Sequence, residues 1–470
     1  MVVCLIIEGA YPYVNGGVSS WVQQLVQFMP DIEFKIQIIS ASREEKKEFK
    51  YKIPDNVSEM KEVYLLDDDL VEKRKRAHFK LNKKEYDAFR SLLFGKDVNW
   101  EVIFDFFRNN NVSTNALLSG KSFYDMVERY YSENYSRMIF TDFLWTMRSM
   151  YLPLFTILKG NLIKGDVYNS VSTGYAGIMG CMQQYIYKKP LIITEHGIYT
   201  REREEEIIKS SWVEGIYKDL WISQFKKISS CCYDRAETVT SLFKEAKEFQ
   251  VELGCPKEKT LVIPNGVKVE AFENLPQKDS GDNMVNIGAV LRVTPIKDVK
   301  TLINAFAIAK QNDSRLKLWI MGSLDESPEY SKECLELVQE LKVRDVEFTG
   351  LVDIKQYIGK MDFLILSSIS EGQPLSILEG FAAKKPYIVT NVGNCSGMIS
   401  GEFDDYGDAG IVVPVMNVGK MAQAINELGK NIDKREIMGE IAYKRAHQYS
   451  AEQSYNMYGD LYKSLYGGAK

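Results

Sequence analysis

Two glutamates and the turn between them are the residues whose types and spacing most clearly suggest chemistry. Glu371 and Glu379 are the ends of the segment Glu-Gly-Gln-Pro-Leu-Ser-Ile-Leu-Glu. The run 362–366 before it predicts a buried strand of a parallel sheet, and apolar residues at helical spacing follow over 375–385. The pair therefore flanks a predicted strand-to-helix turn. It is poorly placed there for a joint proton transfer and well placed to hold two parts of one long polar ligand.

The turn itself supplies hydrogen-bond donors. Gly372 permits a tight backbone turn, and Pro374 suits a first helical position because its missing N–H costs nothing there. Backbone amides at the start of such a helix, around Gln373 and Leu375, can hold a phosphate or a hydroxyl group. On spacing alone, an ordinary turn beside a surface glutamate and a helix glutamate is an open alternative.

A second strand-to-helix turn adds positive charge. The run 286–291 predicts a strand, Arg292 and Lys297 follow it, and a helix begins near Val299. Open α/β sheets bind ligands at the carboxyl ends of their strands. Arg292 can grip phosphate oxygens through two hydrogen bonds, whereas Lys297 acts as a point charge. The C-terminal half therefore offers two cations and two sets of amides to an anionic ligand.

The N-terminal end of the chain contains a similar unit with less charge. Residues 2–7 predict a strand, Gly16 and Gly17 lie in the loop after it, and apolar residues at helical spacing come next. This unit could present amides to a ligand, but it lacks the full glycine pattern of a dinucleotide-binding turn. His196 follows a further predicted strand at 190–194 and is either a site residue or a structural side chain.

Together these motifs resemble the retaining family-4 glycosyltransferases of the GT-B fold. The donor-site signature of that family is similar to four residues of this chain, Arg292, Lys297, Glu371 and Glu379. The segment 8–21 and the variant Gln373-Pro-Leu are similar to the PelF branch, which serves Pel-type exopolysaccharide synthesis. The resemblance extends over both ends of the chain and most of residues 165–470, and is weak between about 40 and 160.

The resemblance implies an α/β protein of the GT-B type, with two Rossmann-like domains facing across a cleft. Residues 1–280 would form the N-terminal, acceptor-side domain, with a helical insertion at about 41–160. Residues 281–449 would form the C-terminal, nucleotide-sugar-binding domain, and a helix at about 450–470 would pack back on the first domain. The aromatic residues of the insertion are either core or an acceptor or partner surface.

The resemblance also implies roles for individual residues. Glu379 would hold the ribose hydroxyls of a UDP-sugar, Glu371 a hydroxyl of the transferred sugar, and His196 would approach that sugar from the first domain. The implied donor-binding set is Gly16, Gly17, Arg292, Lys297, Gly372, Gln373, Pro374, Leu375 and Glu379, with His196 and Glu371 as the catalytic residues. Retention in this superfamily is assigned to front-face attack, in which a donor phosphate oxygen takes the acceptor proton, so no protein nucleophile is expected.

One position departs from the family pattern. Family members usually carry an acidic residue shortly after the Val-Gly that corresponds to Val392-Gly393. Residues 394–398 of this chain are Asn-Cys-Ser-Gly-Met, without a carboxylate. Donor preference could therefore be shifted.

No metal or other cofactor is expected, because fixed cations and oriented amides can stabilise a leaving diphosphate in place of a metal. The rival is a metal-dependent GT-A enzyme, whose Asp-x-Asp element would be Asp67-Asp-Asp69. The basic run that follows these aspartates is more typical of a solvated surface segment. The three histidines, His78, His196 and His447, have no spacing suited to zinc.

Length and composition limit the number of domains, the kinds of partner and the cellular location. The chain has 470 residues, enough for two or three domains, with the hydrophobic and charged content of a globular protein. A net charge of −5 gives no basic field, so no nucleic-acid partner is expected. No signal peptide or membrane-length apolar run is recognised, and the seven cysteines form neither a CxxC pair nor a disulfide framework. A cytoplasmic location is expected, peripheral at the inner face of the plasma membrane.

The resulting prediction is a retaining hexosyltransferase of exopolysaccharide biosynthesis. It would move a hexose from a UDP-sugar, with UDP-glucose favoured, to a polysaccharide or lipid-linked glycan acceptor. Inner-membrane polysaccharide synthase subunits are the further partners implied. One alternative is a catalytically weak, nucleotide-sugar-binding subunit of a membrane synthase. Another is a GT-B UDP-sugar epimerase, which would need more acid–base side chains than the sequence offers.

Overall fold

The computed structural model describes residues 1–9, 11–14, 16–43, 48–66 and 80–468. The chain divides into two compact units. The N-terminal unit is Met1–Val262 with Tyr458–Lys470, and the C-terminal unit is Ile263–Met457.

Two points raised by the sequence concern what the described residues include. Asp67-Asp-Asp69 and His78 lie outside the described residues. Among the helices that the structure describes, none combines the length and the apolar character needed to cross a membrane.

A parallel sheet of seven strands forms the centre of the N-terminal unit. Its strands are β1 (Val2–Glu8), β2 (Glu33–Ser40), β3 (Val57–Tyr64), β4 (Val167–Ser170), β5 (Leu191–Thr194), β6 (Thr238–Ser241) and β7 (Thr260–Val262). They pair in the order β3-β2-β1-β4-β5-β6-β7. Strands β4 and β5 are buried throughout, as is typical of central strands covered on both faces of a parallel sheet.

Ten helices before β7 surround this sheet in the described part of the chain. They are α1 (Gly17–Phe28), α2 (Lys83–Phe94), α3 (Trp100–Asn109), α4 (Thr114–Leu118), α5 (Lys121–Asn134), α6 (Phe140–Lys159), α7 (Tyr175–Tyr187), α8 (Tyr199–Lys209), α9 (Lys218–Arg235) and α10 (Lys244–Glu252).

The segment predicted as a helical insertion, about 41–160, contains a strand as well as helices. Strand β3 lies at the edge of the sheet, and its charged residues conceal the strand pattern in the sequence because most of its side chains are partly solvated. From α2 to α6 the segment is helical. Its aromatic residues pack mainly into the core, as with Phe89 and Phe106, whose ring centroids are 4.9 Å apart, although Trp145 is 63% exposed.

A second parallel sheet, of six strands, forms the centre of the C-terminal unit. Its strands are β8 (Val285–Val290), β9 (Leu316–Met321), β10 (Val346–Gly350), β11 (Phe363–Leu366), β12 (Tyr387–Thr390) and β13 (Gly410–Val413). Their order is β10-β9-β8-β11-β12-β13. The remaining helices are α11 (Val299–Asn312), α12 (Pro328–Glu340), α13 (Leu375–Ala382), α14 (Cys395–Ser400), α15 (Val418–Lys430), α16 (Ile432–Ala446) and α17 (Ala451–Gly468).

The later part of helix α17 belongs to the N-terminal unit. Tyr462 is fully buried there, and its hydroxyl accepts a hydrogen bond of 2.7 Å from the side chain of Asn169 in β4. Tyr458 lies with its hydroxyl 3.1 Å from that of Thr240 and its ring 5.2 Å from the ring of Trp21. Side chains from the end of the chain thus complete the packing around the first sheet.

Candidate functional site

The strand order of the C-terminal sheet reverses between β8 and β11. The chain proceeds from β8 to one edge through β9 and β10, and then returns beside β8 to build the other edge from β11. In open α/β sheets such a switch point leaves a crevice outside the carboxyl ends of the two strands, and ligands bind there. Arg292 and Lys297 follow β8, whereas Glu371 follows β11. The fold therefore brings the cations and the first glutamate predicted from the sequence to one place.

Lys297 and Glu371 form a close ion pair at this switch point. Lys297 Nζ lies 2.5 Å from Glu371 Oε1, and the two side chains are only 16% and 11% exposed. Ser368 Oγ donates to the same carboxylate oxygen at 2.5 Å. The backbone also joins the two turns, because Ile369 N–H donates to Ile296 O at 2.8 Å. An anion bound at Lys297 would therefore share this ammonium group with Glu371.

Arg292 occupies a more open position than Lys297. Its side chain is 49% exposed, and Nη1 donates to Glu326 Oε2 at 2.7 Å. Exposed ion pairs of this kind contribute about 0–1 kcal/mol. The guanidinium can thus exchange Glu326 for a phosphate at little cost.

The backbone of the turn after β11 is tightly packed against the turn after β12. Gly372 O accepts a hydrogen bond of 2.9 Å from Asn394 N–H. Gly393 has a φ of +50°, and a Cβ added there would lie 2.1 Å from Glu371 O. Only glycine fits this close approach. Pro374 precedes α13 rather than occupying its first turn, and α13 begins at Leu375 without a side-chain cap among the described residues.

The other two side chains of this segment face different surroundings. Gln373 is 4% exposed, and its Oε1 accepts a hydrogen bond of 2.6 Å from the backbone of Asn265. Glu379 lies in α13 and is half-buried. Burial raises the pKa of Glu379 to about 7, and the nearby Lys355 ammonium opposes part of the rise. Glu379 is therefore an acceptor or donor of hydrogen bonds that titrates near neutral pH.

The carboxylate of Glu402 approaches the segment 394–398, where the family pattern has an acidic residue and this chain has none. Asn394 Nδ2 donates to Glu402 Oε2 at 2.9 Å. The same oxygen lies 3.7 Å from the place where a Cβ at Gly397 would be. No motif indicates this contact, because Glu402 lies in the turn directly after α14, one helix away from Asn394.

In the N-terminal unit, Gly16 and Gly17 lie at the start of α1, and a Cβ added at either would have no described atom within 4 Å. The Gly16 amide hydrogen-bonds the hydroxyl of Tyr51, where burial raises the tyrosine pKa and this contact opposes the rise. In this structure the Gly16 amide is therefore already engaged.

His196 lies at the carboxyl end of β5, as its sequence position predicts. Its ring is 4.6 Å from that of Trp21 in an edge-on contact, and Nε2 is buried without a partner among the described residues. Burial lowers the pKa of His196 to about 4. The imidazole is thus neutral at neutral pH and suited to a hydroxyl group rather than to an anion.

Two glutamates at strand ends of this sheet, Glu195 and Glu8, were not predicted from the sequence as site residues. Glu195 is 2% exposed and accepts hydrogen bonds from three side chains, those of Thr173, Tyr233 and Gln250. Burial raises the pKa of Glu195 to about 7 against these hydrogen bonds. Glu8, at the end of β1, accepts from Tyr175 N–H at 3.1 Å and from the Tyr199 hydroxyl at 3.3 Å. The sequence feature that could have indicated both residues is a glutamate at the end of a predicted strand.

Two family models match the chain. Residues 282–431 match the model described as "Glycosyl transferases group 1". Residues 1–258 match the model described as "Domain of unknown function (DUF3492)".

Individual proteins are also similar to the chain, at sequence identities of 14% to 25%. An uncharacterized glycosyltransferase of Methanocaldococcus jannaschii is 25% identical over 311 residues, which are 65% of this chain and 78% of the relative. The capsular polysaccharide biosynthesis glycosyltransferase CapM of Staphylococcus aureus is 25% identical over 324 residues, 65% of this chain and 79% of the relative. The structure of Anabaena HepE with UDP-glucose matches 99% of this chain and 100% of its own at 14% identity, with a TM-score of 0.63.

The two parallel sheets and these matches define the class of protein. It is a glycosyltransferase of the GT-B fold, and the predicted fold class is confirmed. Because the N-terminal model covers more than half of the residues, the chain belongs to the family described as Domain of unknown function (DUF3492).

Proposed function

We propose that this glycosyltransferase moves a hexose from a UDP-sugar, with UDP-glucose favoured, to a polysaccharide or lipid-linked acceptor, with retention of configuration. The single observation that carries the proposal is the pairing of Lys297 with Glu371 at the β8–β11 switch point, beside the start of α13. The relatives support the donor and the product class: HepE is solved with UDP-glucose, and CapM is named for capsular polysaccharide biosynthesis.

The leaving group is the part of the reaction that these residues serve most directly. As the bond from the sugar to the diphosphate breaks, negative charge grows on the diphosphate. Lys297, Arg292 and the first amides of α13 would stabilise this charge with groups already in place. This is the basis for proposing that no metal is needed.

The two glutamates would hold the parts of the donor on either side of the diphosphate. Glu371, next to Lys297, would accept a hydrogen bond from a hydroxyl of the transferred sugar. Glu379, farther along α13, would hold the ribose. The acceptor hydroxyl would attack from the same face as the departing diphosphate, and a donor phosphate oxygen would take its proton. The neutral His196 would contribute a hydrogen bond rather than a charge.

The acceptor side is proposed from the resemblance and the relatives. Exopolysaccharide synthesis of the Pel type is the process favoured, with the glycan acceptor and inner-membrane synthase subunits as partners and a position at the inner face of the plasma membrane. These assignments depend on the segment 8–21 and the Gln373-Pro-Leu variant.

The test is incubation of the purified protein with a panel of UDP-sugars and glycan acceptors. UDP release measures turnover, mass spectrometry identifies the product, and the anomeric proton signals in NMR give the configuration. We expect transfer from UDP-glucose with an α-configured product. UDP-sugar binding without turnover would favour the non-catalytic subunit, and a product with inverted configuration would refute the retaining mechanism.

A further inference from the structure

The turn that carries Glu371 is supported by a distant segment of the C-terminal unit. Asn265 N–H donates to Gln373 Oε1 at 2.6 Å, and Asn265 Nδ2 donates to the Gln373 backbone oxygen at 3.1 Å. The two residues are 7% and 4% exposed. One asparagine therefore fixes both the side chain and the peptide group of Gln373, which is 108 positions away in the chain.

The segment around Asn265 is itself held firmly. Val267 N–H donates to Tyr449 O at 2.8 Å, and Ala451 N–H donates to Val267 O at 3.2 Å. A Cβ added at Gly266 would lie 2.4 Å from the backbone of Ala451. Asn265 thus projects from a well-anchored, closely packed backbone and not from a free loop.

These contacts determine which way the peptide groups of the turn face. Gly372 O accepts from Asn394 N–H, and Gln373 O accepts from the Asn265 side chain, so both carbonyls are directed into the unit. In a trans peptide the C=O and the following N–H point in opposite directions. The Gln373 N–H therefore faces away from Asn394.

In the described part of the chain, the Gln373 side chain has no hydrogen-bond partner other than Asn265. Asn265 N–H can only donate, so the glutamine amide must present Oε1 to it. Gln373 Nε2 is buried and has no hydrogen-bond partner among the described residues. Loss of the contact with Asn265 would therefore free this side chain to turn.

We propose that Asn265 is a positioning residue for the donor: it orients the turn that places Glu371 and the amides at the start of α13 toward the diphosphate and the transferred sugar. Asn265 itself touches no substrate. The inference rests on the proposed function. It adds a residue that affects donor binding but lies outside the segment between Glu371 and Glu379.

The test is a double-mutant cycle on Asn265→Ala and Gln373→Ala, measured by kcat and KM for UDP-glucose and by UDP affinity in calorimetry. Asn265→Ala should lower kcat/KM by about tenfold, and Gln373→Ala by a similar factor. Asn265→Ala removes the bond from Asn265 Nδ2 to the Gln373 backbone oxygen, and Gln373→Ala removes the bond from Asn265 N–H to Gln373 Oε1. The double variant should be little worse than either single variant, because the turn needs both bonds to keep its orientation. Asn304→Ala is the matched control, since Asn304 Nδ2 likewise donates to a backbone oxygen, that of Lys300 in α11.

The outcomes separate this inference from the proposed function. Active wild-type protein with Asn265→Ala kinetics equal to those of Asn304→Ala would overturn the positioning role and leave the proposed function intact. A lowered melting temperature with unchanged KM and kcat would also overturn it, because that is the signature of a purely structural contact. Multiplying effects in the double variant would contradict a shared role of the two bonds in holding the turn. If Asn265→Ala does not fold, Asn265→Asp decides the matter, because it keeps the size of the side chain and removes the Nδ2 donor to the Gln373 backbone oxygen. Wild-type protein that neither binds UDP nor turns over any UDP-sugar would refute both.

Discussion

The two sheets have equivalent switch points, and the residues at them differ in one instructive way. In the N-terminal sheet the order reverses between β1 and β4, and in the C-terminal sheet between β8 and β11. At each, a glutamate follows or ends a strand beside the start of a helix. Glu8 accepts directly from the first amide of α7, at Tyr175. Glu371 instead pairs with Lys297, and α13 has no side-chain cap in the described residues.

This difference separates an anion site from a neutral one. In the N-terminal unit the protein's own carboxylate already satisfies the helix start, so the dipole there attracts no further anion. In the C-terminal unit a lysine holds the carboxylate, and the helix start can serve a phosphate from outside. The neutral His196 and the Trp21 ring against it make the N-terminal edge suited to hydroxyl groups. On this basis we propose that the diphosphate binds in the C-terminal unit.

The largest expected effect is from removal of the lysine. Lys297→Ala should weaken UDP binding roughly ten- to hundredfold, because a charge-assisted contact contributes about 1.5–3 kcal/mol. Calorimetry with UDP measures this directly. Lys300→Ala is the control, since Lys300 forms an exposed ion pair with Glu333 in the same region. Equal UDP affinity in Lys297→Ala and wild-type protein would refute the assignment of the anion site.

The next effect distinguishes the two glutamates. Glu371→Ala should leave UDP affinity nearly intact, because UDP lacks the sugar whose hydroxyl Glu371 would hold, while kcat falls by about tenfold or more through a contact made in the transition state. Glu379→Ala should weaken UDP and UDP-glucose alike, because it removes a contact with the ribose. The same pattern of UDP affinity and kcat in both variants would show that the spatial assignment is wrong.

A smaller effect of opposite sign is expected at Glu326. Glu326→Gln should tighten UDP binding by a few-fold at most, because it frees Arg292 from an exposed pair that contributes about 0.2–1 kcal/mol. Glu333→Gln is the matched control, and calorimetry at low ionic strength is the measurement. Weaker UDP binding in Glu326→Gln would mean that Glu326 holds Arg292 in place for the ligand instead of competing with it.

The smallest expected effect is that of a chelator. Turnover of UDP-glucose in excess EDTA should equal turnover without it, because fixed cations and amides would take the place of a metal. Loss of activity that manganese or magnesium restores would direct attention to Asp67-Asp-Asp69 and overturn the metal-independent proposal.

The fold class was predicted from the resemblance to a known family, whereas local patterns in the sequence predicted several residues that the structure places at the switch point. Lys297 and Glu371 were identifiable because each follows an apolar strand and precedes a helix, and parallel strands align their carboxyl ends at one edge. The pairing of the two could not be predicted, because it depends on the register between β8 and β11.

Contacts made over long sequence separations left no local pattern. Asn265 and Glu326 lie outside every motif, and their partners Gln373 and Arg292 are 108 and 34 positions away. Strand β3 was missed because an edge strand with partly solvated, charged side chains does not show the apolar run of a buried strand.

The buried hydrogen bond between Asn169 and Tyr462 has a consequence for biosynthesis. The two residues are 293 positions apart, and the whole C-terminal unit, Ile263–Met457, is made between them. At about 5–20 residues per second, a ribosome needs on the order of ten seconds or more to produce that unit. During this time the nascent N-terminal sheet lacks the tyrosines of α17, and its polar Asn169 has no Tyr462 hydroxyl to bond. The first unit to be translated is therefore the last to complete its core, and chaperone binding during translation should be strongest over this interval.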